Sequence, residues 1–441
     1  MLEGTLLDKI VLFALPLAAS SILQQLFNAA DLAVVGRFAS AEAMAAVGSN
    51  SSVINLIISL FVGLSVGVNA VIAAQIGGGH KERISETVHT VIAVAFLAGF
   101  ALIFIGFAVS RPILKLMGAP EDVMNLAILY LRIYFLAMPA ILIYNYGSAI
   151  LRSKGDSRRP LYALMLSGIL NIILNLILVV VFKLHVIGVA AATVVSNTFG
   201  AGLILHYLMT EEEPFRLNLK KLCIRRHFLF LMMQIGLPAG LQGMVFGLSN
   251  VVIQSSVNSF GANAIAGSTA AVNFDFLSYC VVNAFAQSAV TFMSQNFSAQ
   301  KYDRCDRIFL ICMLSGMGTS ALVVLLLVTF RYNLIHIFTV NPLVIEYAMI
   351  RTMVSFRLHF LIASYEISGG CLRGMGHSLL PAMIAIFGTC VFRLFYVFTY
   401  VSRVHTFEAL FNVYPISWVI TGTLTLTAYF ITRNRLFRSE G

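Results

Sequence analysis

Long apolar runs alternate with short polar connections from one end of the chain to the other, and none shows the residue-by-residue alternation of a half-buried strand. Runs of 18 to 25 apolar residues are long enough to cross a bilayer as helices, and the lack of alternating segments excludes a membrane barrel. Twelve spans are expected, at 10–35, 46–74, 88–110, 123–147, 161–182, 188–208, 228–258, 265–293, 307–330, 343–369, 381–401 and 409–432. Most of the Lys and Arg residues between them fall in alternate connections, the set that includes Lys9, Lys81, Arg158, Arg225 and Arg304. The positive-inside rule puts those connections and both termini in the cytoplasm, in agreement with an even number of spans.

The first span breaks the apolar pattern. From Pro16 to Gly36, Ser21, Gln24, Asn28 and Asp31 are spaced 3, 4 and 3 apart and share one helical face, with Leu17, Leu23, Leu26 and Leu32 around the rest. Such a stripe must face protein or water, because an ionisable group in the hydrocarbon costs about 2.5–3.5 kcal/mol on insertion scales. Asp31 is therefore either a hydrogen-bonded structural residue or a titrating, cation-binding one.

A repeat organises the rest. LRSKGDSRRP (Leu151 to Pro160) returns as LRGMGHSLLP (Leu372 to Pro381) at an offset of 221, and Pro16 pairs with Pro238 and Asn28 with Asn250 at 222. The AQ(x)5K stretch of Ala74 to Lys81 matches the SQ(x)5K of Ser294 to Lys301. The expected domains are an N-terminal six-helix lobe (1–208), a cytoplasmic linker (209–227) around the one long polar connection, and a C-terminal six-helix lobe (228–441). An even number of spans per repeat relates the lobes by a pseudo-two-fold axis along the membrane normal.

Composition agrees. The chain is 59% hydrophobic and 11% charged, with mean hydropathy +0.89, against about 25% charged for a soluble globule. The net charge of +10 lies in connections and points to membrane topology and not to nucleic acid. Six cysteines form no CxxC pair and read as small core residues. No GxxxxGK[ST] loop, HExxH motif or nucleophile–base pair is present, so an enzyme is not indicated and energy must come from an ion gradient.

Five segments, DLAVVGRFASAEAMAAVG (Asp31 to Gly48), GLSVGVNAVIAAQIGGG (Gly63 to Gly79), NIILNLILVVVF (Asn171 to Phe182), GVAAATVVSN (Gly188 to Asn197) and the repeated LRxxGxSxxP, together resemble the multidrug and toxic compound extrusion (MATE) family over nearly the whole chain. The resemblance implies a two-lobe exporter of the cytoplasmic membrane that exchanges organic cations or amphipathic drugs for H+ or Na+. It also implies a cation site at Asp31, Asn171, Asn175 and Thr193. The second Asn stands where the family often has Asp, which removes a negative charge, weighs against strong Na+ binding at Asp31 and tilts the expectation toward protons. The expected partners are small cationic or amphipathic substrates and membrane lipids, without nucleic acid or a further cofactor, and the chain is expected to act as a monomer.

The chemistry stands beside the resemblance. Asn171 and Asn175 lie four apart on one face, and with Asp31 and Thr193 they could offer oxygen ligands to a hard cation. Burial penalises the charged form of a carboxyl, so proton loading there is the alternative. Either ion cancels the charge and so binds two conformations differently, which coupling requires. Simple interhelical glue, worth about 0.6 kcal/mol for each Asn, is the bland reading of the pair.

In the second lobe Ile253 stands at the counterpart of Asp31. Asp275, Glu366 and Arg393 occupy depths that are polar in both lobes and are expected to form an internal ion-pair network or a substrate contact. Gln24, Asn28, Gln242, Tyr144, Tyr146, Tyr365 and Phe274 are further candidates for lining a substrate path, and Pro16, Pro139 and Pro238 for kinks. A lipid-linked-sugar flippase and a non-transporting receptor or scaffold remain the alternative functions.

Overall fold

The computed structural model describes residues 1–38, 41–116 and 121–438; Ala39 and Ser40 of the Asp31–Gly48 motif lie outside them. Among the described residues all regular structure is helical. Among the described residues ten helices are each long and apolar enough to cross a membrane, eleven if the bent pair Val123–Phe135 and Met138–Lys154 is counted as one span. The chain divides into two compact units, residues 19–233 and residues 1–18 with 234–441.

The first unit takes the second part of α1 (Leu7–Phe38), then α2 (Ala41–Gly77), α3 (Lys81–Leu116), α4 (Glu121–Phe135), α5 (Met138–Lys154), α6 (Arg158–Asn175) and α7 (His185–Met209). The expected span 123–147 is broken: Pro139 lies at the start of α5 rather than inside a helix, and α4 and α5 meet at 45°. Proline is tolerated in a first helical turn, where its missing N–H has no partner to lose. Leu131, Phe135 and Met138 are buried with Ile54 of α2 and Val189 of α7 in the core of this unit. After Asn175, α6 continues as a π-helical turn, Leu176–Val181.

The second unit holds the start of α1 and most of α8 (Arg226–Asn258), then α9 (Ala262–Ser298), α10 (Tyr302–Thr329), α11 (Arg331–Phe338), α12 (Pro342–Phe356), α13 (Ile362–Gly374) and α14 (Leu379–Ala385). Two π turns, Ile386–Val391 and Val397–Val401, flank the short α15 (Phe392–Tyr396) before α16 (Ser402–Val404), α17 (Phe407–Phe411) and α18 (Val413–Arg438). The expected span 343–369 becomes α12 and α13 joined by a 3-10 turn at His359–Leu361. Ile10, Phe13 and Leu17 pack with Phe292 of α9, Cys312 of α10 and Cys371 of α13, so five of the six free cysteines are buried as expected of small core residues.

The repeated LRxxGxSxxP motif has one geometry in both units. Gly155 and Gly376 adopt positive φ, at 105° and 87°. Each ends a helix with the same pair of bonds, from Gly155 and Asp156 to Arg152 and Leu151, and from Gly376 and His377 to Arg373 and Leu372. This is the left-handed helix terminus that favours glycine, and it explains why the motif keeps Gly at that position twice.

The outer faces carry large exposed apolar side chains, such as Phe104 at 75% and Phe398 at 68%. A polar medium would penalise such a belt and a hydrocarbon one would not.

Candidate functional site

The polar stripe of α1 meets α6 in the first unit through a close approach. Gly168 faces Phe27, and a Cβ on that glycine would lie 2.0 Å from the phenyl ring. Phe27 is one turn before Asp31, and Gly168 precedes Asn171 and Asn175 on α6. The missing side chain lets the helices come near enough for the Asn175 amide to donate to Asp31 Oδ1 at 2.6 Å.

From there a chain of hydrogen bonds crosses to α7. The same Asn175 nitrogen donates to Asn171 Oδ1 at 3.1 Å, Asn171 donates to the Ser196 hydroxyl at 3.2 Å, and Ser196 donates to the Thr193 carbonyl at 3.1 Å. Asn175 is fully buried, Asn171, Ser196 and Thr193 nearly so, and Asp31 partly. Among the described residues Asn175 Oδ1 is a buried acceptor without a partner. A buried oxygen left idle beside a carboxylate is where a new proton or a cation would find a ligand.

Thr193 takes part differently from the expectation. Its hydroxyl donates to the Val189 carbonyl at 3.0 Å, and only its backbone oxygen joins the chain, receiving Ser196 and, at 2.8 Å, Asn197. Ser196 was not among the expected residues, although its place three after Thr193 puts it on the same face. Tyr130 and Tyr134, with tilted rings 6.2 Å apart on α4, lie near Asp31 and were not expected either.

A family model described as MatE matches residues 16–177 and again 238–399, two stretches displaced by 222 at both ends. The chain belongs to the MATE family. Its members are transporters and not enzymes, and this one is a multi-pass membrane protein. It is 29% identical over 385 residues to the Bacillus subtilis protein named "Probable multidrug resistance protein YoeA", covering 85% of this chain and 83% of that one. It is 23% identical over 383 residues to "Multidrug export protein MepA" of Staphylococcus aureus, with the same two coverages of 85% and 83%. Its fold is similar to that of a solved structure described as the outward-facing conformation of a multidrug resistance MATE family transporter of the MOP superfamily, at a TM-score of 0.92, 22% identity and coverage of 99% of this chain and 97% of that one.

The MATE repeat does not duplicate the site. Ile253, at the counterpart of Asp31, is buried in an apolar cluster with Val257, Phe407 and Phe411. The expected network of Asp275, Glu366 and Arg393 is corrected by the pairings found. Asp275 pairs with Arg351 at 3.1 Å, and Arg351 also donates to the Ser268 carbonyl at 2.9 Å and lies over the Phe411 ring. Arg393 donates to the Ser417 hydroxyl at 3.0 Å and lies over Tyr414, with 4.4 Å to the ring centre. Glu366 is buried, with the Tyr279 hydroxyl and Arg373 as its polar neighbours. Each charge has its own partner of opposite or complementary character, which lowers the cost of burial without any contact among the three.

Of the other candidates, Gln242 is buried and accepts from Arg373 at 2.8 Å, while Gln24 and Asn28 are exposed on α1. Tyr144 donates to the Pro160 carbonyl at 3.0 Å; Tyr146, Tyr365 and Phe274 are buried within their own units.

Proposed function

We propose that this MATE transporter is a secondary antiporter of the cytoplasmic membrane, with both termini inside the cell, that exports small cationic or amphipathic drugs against an inward proton flux loaded at Asp31. The observation that carries the proposal is the Asn175 amide: it donates to the Asp31 carboxylate at 2.6 Å while its own buried oxygen has no partner among the described residues. With Asp31 charged, Asn175 is needed as a donor. With Asp31 protonated, the carboxyl becomes a donor and needs an acceptor, which the Asn175 oxygen supplies after the amide turns over. That turn withdraws a donor from Asn171 and so disturbs the chain to Ser196 on α7. The proton thus favours one arrangement of α1, α6 and α7 over another, the differential affinity that coupling demands. A single carboxylate in this cluster supports H+ over Na+, since a hard cation is held best by several charged oxygens. The names of the relatives, a multidrug resistance protein and a multidrug export protein, support drug-like substrates.

The test is dye efflux from proteoliposomes under a proton gradient or a sodium gradient, for the wild type and Asp31→Asn. Proton-driven efflux is expected in the wild type and none in the variant, which retains folding because Asn keeps the size and the hydrogen bonding. Unchanged gradient-driven efflux in Asp31→Asn would end the coupling role, and efflux driven by sodium alone would replace the proton.

A further inference from the structure

The second unit has an apolar crevice of about 320 Å3 whose walls are Phe309, Met313 and Met317 of α10 and Val419, Leu426 and Phe430 of α18. It is not a gap in a core. Val419 and Phe430 are 44% and 48% exposed, and Leu314 of α10 and Leu424 of α18 are exposed as well, so the crevice opens sideways onto apolar side chains.

Gly422 and Ser364 also line it and let α18 approach α13 there, since a Cβ on Gly422 would stand 2.1 Å from Ser364 Oγ. Ser364 donates to the Leu361 carbonyl at 2.6 Å, which occupies its hydroxyl hydrogen and leaves the floor mostly apolar. Trp418, the one tryptophan of the chain, also lines the crevice although only 4% of it is exposed.

The spacing of the walls gives the crevice a direction. Asp306, Phe309, Met313 and Met317 are spaced 3, 4 and 4 apart, and Val419, Thr423, Leu426, Phe430 and Arg433 are spaced 4, 3, 4 and 3, so each set forms a stripe along its helix. At a rise of about 1.5 Å per residue the walls run for roughly 12 Å on α10 and 16 Å on α18. One leaflet of a bilayer with a core of about 30 Å offers about 15 Å of hydrocarbon depth. Both stripes end in the same ion pair, Arg433 with Asp306, made through two bonds of 2.9 and 2.5 Å.

We infer that this crevice is a binding site for one acyl tail of a zwitterionic membrane phospholipid, with the headgroup at the Asp306–Arg433 pair. Length, lateral opening and apolar walls match an extended tail lying along the membrane normal. A carboxylate and a guanidinium side by side at the end complement a head that carries a phosphate and an ammonium group.

Trp418 reports on the occupant. The protein is reconstituted in dioleoylphosphatidylcholine vesicles in which a rising fraction of the lipid carries dibrominated chains, which quench indole on contact. Because the crevice holds one tail, Trp418 fluorescence is expected to fall in proportion to the unbrominated fraction. A control tryptophan on the open flank, Leu314→Trp in a Trp418→Phe background, meets several tails and falls as a higher power of that fraction. Met317→Phe and, separately, Leu426→Phe fill the crevice and are expected to abolish quenching of Trp418. Neither should alter the flank control. Three results overturn the site: no quenching of Trp418 in fully brominated vesicles, a Trp418 curve that coincides with that of the flank control, or full quenching retained in both filled variants.

Discussion

Gly168→Ala tests how Asp31 is held. A Cβ at this position lies 2.0, 2.2 and 2.4 Å from three carbons of the Phe27 ring, where ordinary carbon contacts are about 3.5–4.0 Å. Roughly 1.5 Å or more must therefore be found, by turning the ring or by moving α1 away from α6. Overpacking of this kind costs about 1–3 kcal/mol. A retreat of α1 by the same amount would stretch the 2.6 Å bond from Asn175 to Asp31 past the range of a hydrogen bond. The expected result is a lower unfolding temperature for the purified protein together with reduced proton-driven efflux. Phe27→Ala removes the obstructing ring, so the double variant should recover both, with a coupling energy of about 0.5–3 kcal/mol in the cycle. Wild-type stability and flux in Gly168→Ala, or a loss that Phe27→Ala does not relieve, would refute the reasoning.

Single contacts carry the remaining predictions. Burial alone would push Glu211 up, but Lys154, at 2.5 Å, and Arg159 outweigh it and hold its carboxyl below the usual range. The stability this supplies is present above the unfolded carboxyl value of about 4.3 and fades as the pH falls through the lower folded value. Glu211→Gln should cost about 1–2 kcal/mol at pH 7, between an exposed and a buried pair, and remove that part of the acid sensitivity in thermal melts from pH 7 to 3. Asn175→Asp places a second carboxylate against Asp31, where two like charges cannot both ionise freely, so sodium should raise the unfolding temperature of this variant and not of the wild type. Gly422→Ala should destabilise by about 1–3 kcal/mol through its clash with Ser364 Oγ, and Ser364→Ala should relieve most of that loss in thermal melts.

The sequence carried the architecture well because a bilayer leaves few choices. Runs of apolar residues become helices, and the 222-residue displacement of the repeat is found again in the two family matches. Asn171 and Asn175 were legible as a pair on one helical face from their spacing of four, whereas their meeting with Asp31 on α1 was implied by the MATE resemblance and not by spacing. Partners distant in the chain were not legible. Nothing in the spacing of Asp275 selects Arg351 over Arg393, since periodicity assigns a face to a residue but not the helix opposite. The same limit hid Ser196, and it hid the pairing of Glu211 with Lys154 and Arg159 across the turn that the LRxxGxSxxP motif builds. The breaks at Pro139 and at His359–Leu361 show that apolar length alone does not distinguish a continuous span from a bent one.

The wide turn at Leu176–Val181 separates the pair Asn171 and Asn175 from the connection that leads to α7. A helical turn closed by i to i+5 bonds carries one residue more than its α-helical neighbours, and it can give that residue up. Deleting a single amino acid there would let the turn close as an ordinary α-helical one, with Phe182 and the loop beyond it kept nearly in register. The two asparagines upstream would keep their aim. The turn thus leaves slack between the loop before α7 and the two asparagines.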